Sequence, residues 1–194
     1  MKNSSFIRLL RVAVLLLVSA GAFSQGTVSA DFLYIQAFQG KEISLWKVDV
    51  SEYQAPGFSG HLFYTYSFER PSMDVQVGLG AQHFFFSGTA GEESFTGTTT
   101  RLDLMLKGIY RFDDHWKVGV GFGLENNRDF GDFRTGAAEN FRYNGIVDVQ
   151  YQINSKWGVV LRYYILMYPD VDVYLLTNPA HKAGIGVMYN LWKS

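Results

Sequence analysis

The sequence predicts an all-β chain that closes into one eight-stranded antiparallel up-and-down barrel. Three observations carry that prediction. Apolar residues recur at every second position through segment after segment, the period of a strand with two unlike faces. Eight such segments follow one another with short turns and longer polar loops in strict alternation. No helical period, linker or low-complexity run interrupts them.

Ahead of the barrel, Lys2, Arg8 and Arg11 form a basic stretch beside the apolar run Val12–Val18. Ala22-Phe23-Ser24 then sets small residues at the places a cleavage site needs before Gln25. Residues 1–24 therefore read as a secretory signal peptide, too short to span a membrane, and residues 25–194 as one domain. Removal of the signal takes three of 17 basic and none of 18 acidic residues, leaving 14 against 18 and a charge of −4. That balance offers no basic surface for nucleic acid. With no cysteine, disulfide staples and thiolate metal sites are excluded.

The first strand lies within residues 31–50, where Leu33, Ile35 and Ala37 alternate, and so do Trp46, Val48 and Val50. Either placement fits. A second strand, Phe58–Glu69, sets Leu62, Tyr64, Tyr66 and Phe68 against His61, Phe63, Thr65 and Ser67, and Arg70-Pro71-Ser72 turns the chain. The third carries Met73, Val75, Val77, Leu79 and Ala81, and Ser87–Gly97 reads as a long polar loop. In the fourth, Leu102, Leu104, Leu106, Tyr110 and Phe112 oppose Arg101, Asp103, Lys107 and Arg111. After the turn at Asp113-Asp114-His115, Trp116, Val118, Val120, Phe122 and Leu124 oppose Lys117, three glycines and Glu125. A loop over 128–140 leads to the hairpin Phe141–Met167, turning at Asn154-Ser155-Lys156, and a loop over 169–178 leads to the last strand, Ala183–Leu191.

Two closed barrels fit this alternation: a secreted lipocalin-like carrier with the apolar face inside, or an outer-membrane barrel with it outside. Three features favour the second. Gly78, Gly80, Gly119, Gly121, Gly123, Gly184 and Gly186 crowd the polar face, where glycine wastes strand propensity in water but makes room in a narrow lumen. Phe68, Tyr110, Phe112, Trp116, Tyr151, Trp157 and Tyr189 are in phase on the apolar face near the short turns, as an interfacial girdle requires. Charges are nearly absent from that face in strands two to eight. The predicted fold is thus a transmembrane β-barrel.

On these residues the chain resembles the small eight-stranded outer-membrane barrels, the class of the OmpA transmembrane domain and OmpX. The resemblance implies outer-membrane lipid and the outer-membrane assembly machinery as partners, and a Gram-negative outer membrane as location. Proteins of this class usually end on an aromatic residue in the lipid phase. Here Tyr189 and Leu191 keep the phase, whereas Trp192 is out of phase and Lys193-Ser194 follow it.

Candidate chemistry is sparse. The Gly-x-Gly pairs lie within strands with no helix after them, so they are lumen glycines rather than nucleotide loops. His61, His83, His115 and His181 lack ligand spacing, so neither metal nor cofactor is expected. Ser59 and His61 share the inward face, the pair a lipid hydrolase would use, yet they point away from lipid, and no catalytic residue is expected. Counting from the turn centres puts Asp148 opposite Arg162, Asp103 opposite Glu125 with Arg101 diagonal to it, and Lys107 opposite Gly121. With Arg142 and Lys182 on the same face, these charges are expected to plug a lumen only wide enough for side chains. The function expected is structural or surface interaction through the outward loops, where Phe95, Phe130, Phe133, Tyr174, Leu175 and Leu176 supply apolar contacts for a ligand or a packed barrel mouth. A narrow solute channel, a lipocalin-like carrier and a lipid-modifying enzyme are the alternatives.

Overall fold

A computed structural model of the chain describes residues 26–38, 50–68, 72–90, 92–129, 141–167 and 181–193. The predicted signal peptide and the loop residues Phe130, Phe133, Tyr174, Leu175 and Leu176 lie outside these. Eight strands form one closed antiparallel barrel in chain order: β1 (Gly26–Phe38), β2 (Val50–Ser67), β3 (Met73–Ala90), β4 (Glu93–Arg111), β5 (Trp116–Asp129), β6 (Phe141–Gln152), β7 (Trp157–Leu166) and β8 (His181–Lys193). Closure comes from β1, which pairs with β2 on one side and β8 on the other.

Short polar side chains build the turns at one end. Asp113 Oδ1 accepts from the backbone N–H groups of His115 (2.7 Å) and Trp116 (2.6 Å), and Asn154 Oδ1 does the same for Lys156 and Trp157, both at 2.9 Å. Donation from Trp116 and then His115 holds the Asp113 carboxyl below the usual carboxylate range. Because the folded state lowers that pKa, the turn gains from it at neutral pH and loses it as acid protonates the carboxylate. From these turns the registers follow: Asp148 stands opposite Arg162, Asp103 opposite Glu125, and Lys107 opposite Gly121.

Besides β2, which begins at Val50 rather than Phe58 and takes in the loop expected at Gln54-Ala55-Pro56-Gly57, three elements differ from the sequence reading. The first strand takes the early placement and begins before it, at Gly26. Phe32, Tyr34 and Phe38 point outward there, and Leu33, Ile35 and Ala37 are buried inside. Larger aromatics claim the outer face, and the smaller aliphatics fit the lumen. Secondly, the expected polar loop Ser87–Gly97 is mostly ladder, with Ser87 opposite Thr96 and Ala90 opposite Glu93. Period two continues through it: Phe84 and Phe86 face inward, Phe85 outward, and three threonines, Thr98–Thr100, sustain strand propensity. Phe95 accordingly belongs to β4, opposite Gly88, and not to a loop. The expected loop from 128 is likewise trimmed, since β5 runs to Asp129.

The third difference is at the seam. Ser29 pairs with Asn190 but Val28 with Trp192, so Leu191 is an extra residue and the ladder bulges. The bulge turns Trp192 back onto the outer face, where it is 51% exposed beside Leu191 at 54%. A residue that is out of phase in the sequence is therefore in phase in the barrel. In a variant retaining Trp192 as its sole tryptophan, bilayer-resident brominated lipid is expected to quench the fluorescence, and deletion of Leu191 to leave the quenching intact. Unquenched emission would put Trp192 in the lumen and remove the bulge.

Candidate functional site: the barrel lumen

Lumen glycines admit long or bulky neighbours. A Cβ on Gly78 would run into the Phe63 ring, one on Gly80 into His61, one on Gly119 into Asp148, and one on Gly121 into the backbone and stem of Lys107. Each glycine thus seats a functional side chain of an adjacent strand.

Two ionic layers cross the lumen. In the lower one, Lys107 Nζ lies 2.5 Å from Asp148 Oδ2, and Arg162 Nε lies 3.3 Å from the same oxygen. Arg162 Nη2 donates to Asp31 Oδ2 at 2.6 Å. The imidazole of His61 bridges Asp31 (Nδ1 to Oδ1, 2.7 Å) and Asp103 (Nε2 to Oδ2, 3.0 Å). Above lies Gln82, whose amide donates to Asp103 Oδ2 at 2.6 Å and Glu125 Oε1 at 3.1 Å and accepts from Lys182 Nζ at 3.0 Å. Lys182 pairs with Glu125, and Arg101 Nη1 lies 3.5 Å from Glu125 Oε2. Phe63 packs between Lys107 and Arg162, with cation-to-centroid distances of 4.4 and 5.2 Å, and Tyr164 lies 4.5 Å from Lys182 Nζ.

Four bases, Arg101, Lys107, Arg162 and Lys182, thus meet four acids, Asp31, Asp103, Glu125 and Asp148, all buried. Arg142 stands in β6 opposite Glu125, and nothing is described of its side chain. Sequence reasoning missed Asp31, His61 and Gln82 as members of the network. It also missed the apolar fillers Leu33, Ile35, Phe84, Met105, Ile146 and Val160 inside the lumen. At the short-turn end the lumen opens as a polar cavity of about 430 Å³ lined by residues such as Ser29, Thr65, Asp74, Gln76, Arg111 and Gln150. Among the described residues no group of His, Asp and Glu side chains could hold a metal ion. Ser59 Oγ is buried without a hydrogen-bond partner, and His61, with both nitrogens taken by aspartates, has none left to act as its base.

Outside, Phe68, Tyr110, Phe112, Trp116, Tyr151 and Trp157 are exposed, and Tyr189 is half-buried with its ring 4.6 Å from that of Trp157. A second aromatic group, which the sequence reading did not gather, includes Tyr34, Phe58, Phe85, Tyr143 and Tyr163 nearer the other end. Leu62, Leu106, Val120, Val147, Leu161 and Ile185 are among the exposed apolar residues between the two groups.

No family model matches this chain, and no curated protein matches it. Among solved structures it is similar to the Yersinia pestis outer-membrane protein Ail in a phospholipid bilayer nanodisc, at 16% identity over 86% of this chain and 100% of that one, with a TM-score of 0.53. A crystal structure of Ail, the attachment invasion locus protein, with the heparin analogue sucrose octasulfate gives 16% identity, 86% and 98% coverage and a TM-score of 0.46. A further crystal structure of Ail gives 15%, 87% and 99%, and 0.41. The fold is that of a small eight-stranded outer-membrane barrel.

Proposed function

We propose that this chain is an integral outer-membrane protein of a Gram-negative bacterium, exported by a cleaved signal peptide and inserted by the outer-membrane assembly machinery. Its barrel acts as a filled scaffold that holds the long-loop end in place for a structural or surface-interaction role. The observation that carries this reading is the pairing of an outer face of exposed apolar residues with a lumen whose acids and bases are buried against one another. A water-soluble lipocalin-like carrier would need the opposite arrangement, since an apolar surface this extensive marks a membrane or partner contact. Hydrolysis of lipid finds no support at Ser59 and His61, which are turned inward, with both His61 ring nitrogens engaged by aspartates.

The cavity at the short-turn end favours one second reading, a narrow solute channel, because it extends the aqueous space to the layer holding Asp148. Planar-bilayer recordings separate the two. A filled scaffold gives no large stable openings, and the protein shifts its gel mobility on boiling as a folded barrel does. Frequent stable openings would establish the channel, and a soluble-fraction protein with no heat shift would remove the membrane assignment.

A further inference from the structure

We propose that the polar cavity at the short-turn end binds a neutral, hexose-sized sugar, its hydroxyl groups held by amide oxygens fixed on two strands. The proposal stands on the lumen geometry and holds whether or not the barrel conducts.

The cavity, about 430 Å³, lies at the small end of the roughly 300–1,000 Å³ of small-molecule sites. Three amide side chains line it, Gln150 and Gln152 on β6 and Asn190 on β8. Each has its nitrogen committed to the protein. Gln150 Nε2 donates to Asp148 Oδ1 at 3.2 Å, and Asn190 Nδ2 donates to the carbonyl of Ser155 at 3.0 Å. Gln152 Nε2 donates to two carbonyls, those of Asn154 (2.5 Å) and Trp157 (3.0 Å). Carboxylate and carbonyl oxygens only accept, so these contacts fix which end of each amide is nitrogen. The amide oxygens are the ends left for the cavity. Filling by water requires no such order, whereas a ligand gains affinity from side chains that are already held in place.

The rest of the lining sets the charge and chemistry of that ligand. Asp74 is taken by Arg111, whose Nε lies 3.3 Å from Asp74 Oδ1 and whose Nη2 donates to Phe68 O at 2.7 Å. Of the other Asp, Lys and Arg side chains lining the cavity, Asp114 offsets Lys117. The described lining thus presents no net charge to an ionic ligand. Thr27, Ser29 and Ser67 add hydroxyls that both donate and accept. Sugar hydroxyls match this mixture, since each can donate to an amide oxygen and accept from a neighbouring hydroxyl. Ile109 and Met188, both buried, supply apolar surface for the C–H face of the ring. A free hexose and the end residue of a glycan chain share this chemistry.

The test uses the folded full-length barrel in nanodiscs, titrated with glucose and followed by NMR at the side-chain amides of Gln150, Gln152 and Asn190. Saturable shifts are expected in the millimolar range, and glucuronate and protonated glucosamine, of like size but charged, are expected to bind at least about tenfold more weakly. Gln150→Leu, checked for folding by its heat-dependent gel shift, is expected to weaken glucose about tenfold as read at the Asn190 amide. Maltotriose separates the two sources: tighter binding than glucose supports the site with a glycan end as its ligand, and weaker binding supports it with a free sugar. Absence of saturation by about 100 mM glucose overturns the proposal and leaves water as the occupant. Equal binding of the charged analogues, or unchanged affinity in Gln150→Leu, overturns it as well. Should Gln150→Leu not fold, the charged analogues decide the matter alone.

Discussion

Val147→Lys is expected to suppress insertion of the barrel into lipid vesicles, while Gln150→Lys on the other face of the same strand leaves it near the level of the parent protein. Val147 is 40% exposed on the outer side of β6, between Val120 and Tyr163 on the flanking strands. A lysine near the bilayer midplane costs about 2–4 kcal/mol, a shift of roughly 30- to 1,000-fold in the insertion equilibrium. Gln150 instead borders the polar cavity, and its amide donates to Asp148 Oδ1 at 3.2 Å. An ammonium group placed there meets water and a carboxylate. The readout is the fraction of heat-shifting protein after refolding into vesicles, with Val147→Met as the control for size without charge. Equal tolerance of the two lysines would reverse the faces of the barrel and dissolve the membrane assignment.

Those two faces were legible because a strand alternates strictly, and a hairpin with a short turn fixes its own register. Asp148 opposite Arg162 follows from the turn at Ser155 by counting alone. The contacts that cross the lumen do not follow from any turn. Arg162 on β7 reaches Asp31 on β1, Lys182 on β8 reaches Gln82 on β3, and Lys107 on β4 reaches Asp148 on β6. Such pairs depend on how the sheet curls shut. Asp31 was hidden for a further reason: the position of β1 was open, and with it the pairing of Asp31 with His61. The buried Leu33, Ile35, Met105 and Ile146 expose a limit of two-letter patterning. The inside of a narrow barrel is packed solid and barely wetted, so an aliphatic side chain fills it as well as a paired charge does.

Arg162→Met is expected to destabilise the folded barrel by about 3–5 kcal/mol, the usual cost of removing one partner from a buried ion pair. Arg162 is 1% exposed and serves two carboxylates, Asp31 at 2.6 Å and Asp148 at 3.3 Å. Methionine keeps the apolar stem but takes the guanidinium partner from both Asp31 and Asp148. Each abandoned acid retains other partners, His61 for Asp31 and Lys107 with Gln150 for Asp148, which favours the lower half of that range. If the abandoned carboxylate is the cause, removing it should recover stability. The double variant Arg162→Met, Asp31→Leu is therefore expected to unfold at a higher urea concentration in vesicles than Arg162→Met alone, although it deletes more of the native network. Buried pairs exchanged together for apolar groups often behave this way, because two desolvation costs disappear with the attraction. Losses that simply add would mean that Arg162 stabilises the barrel by filling space beside Phe63, and that the ionic layer contributes little to holding the lumen shut.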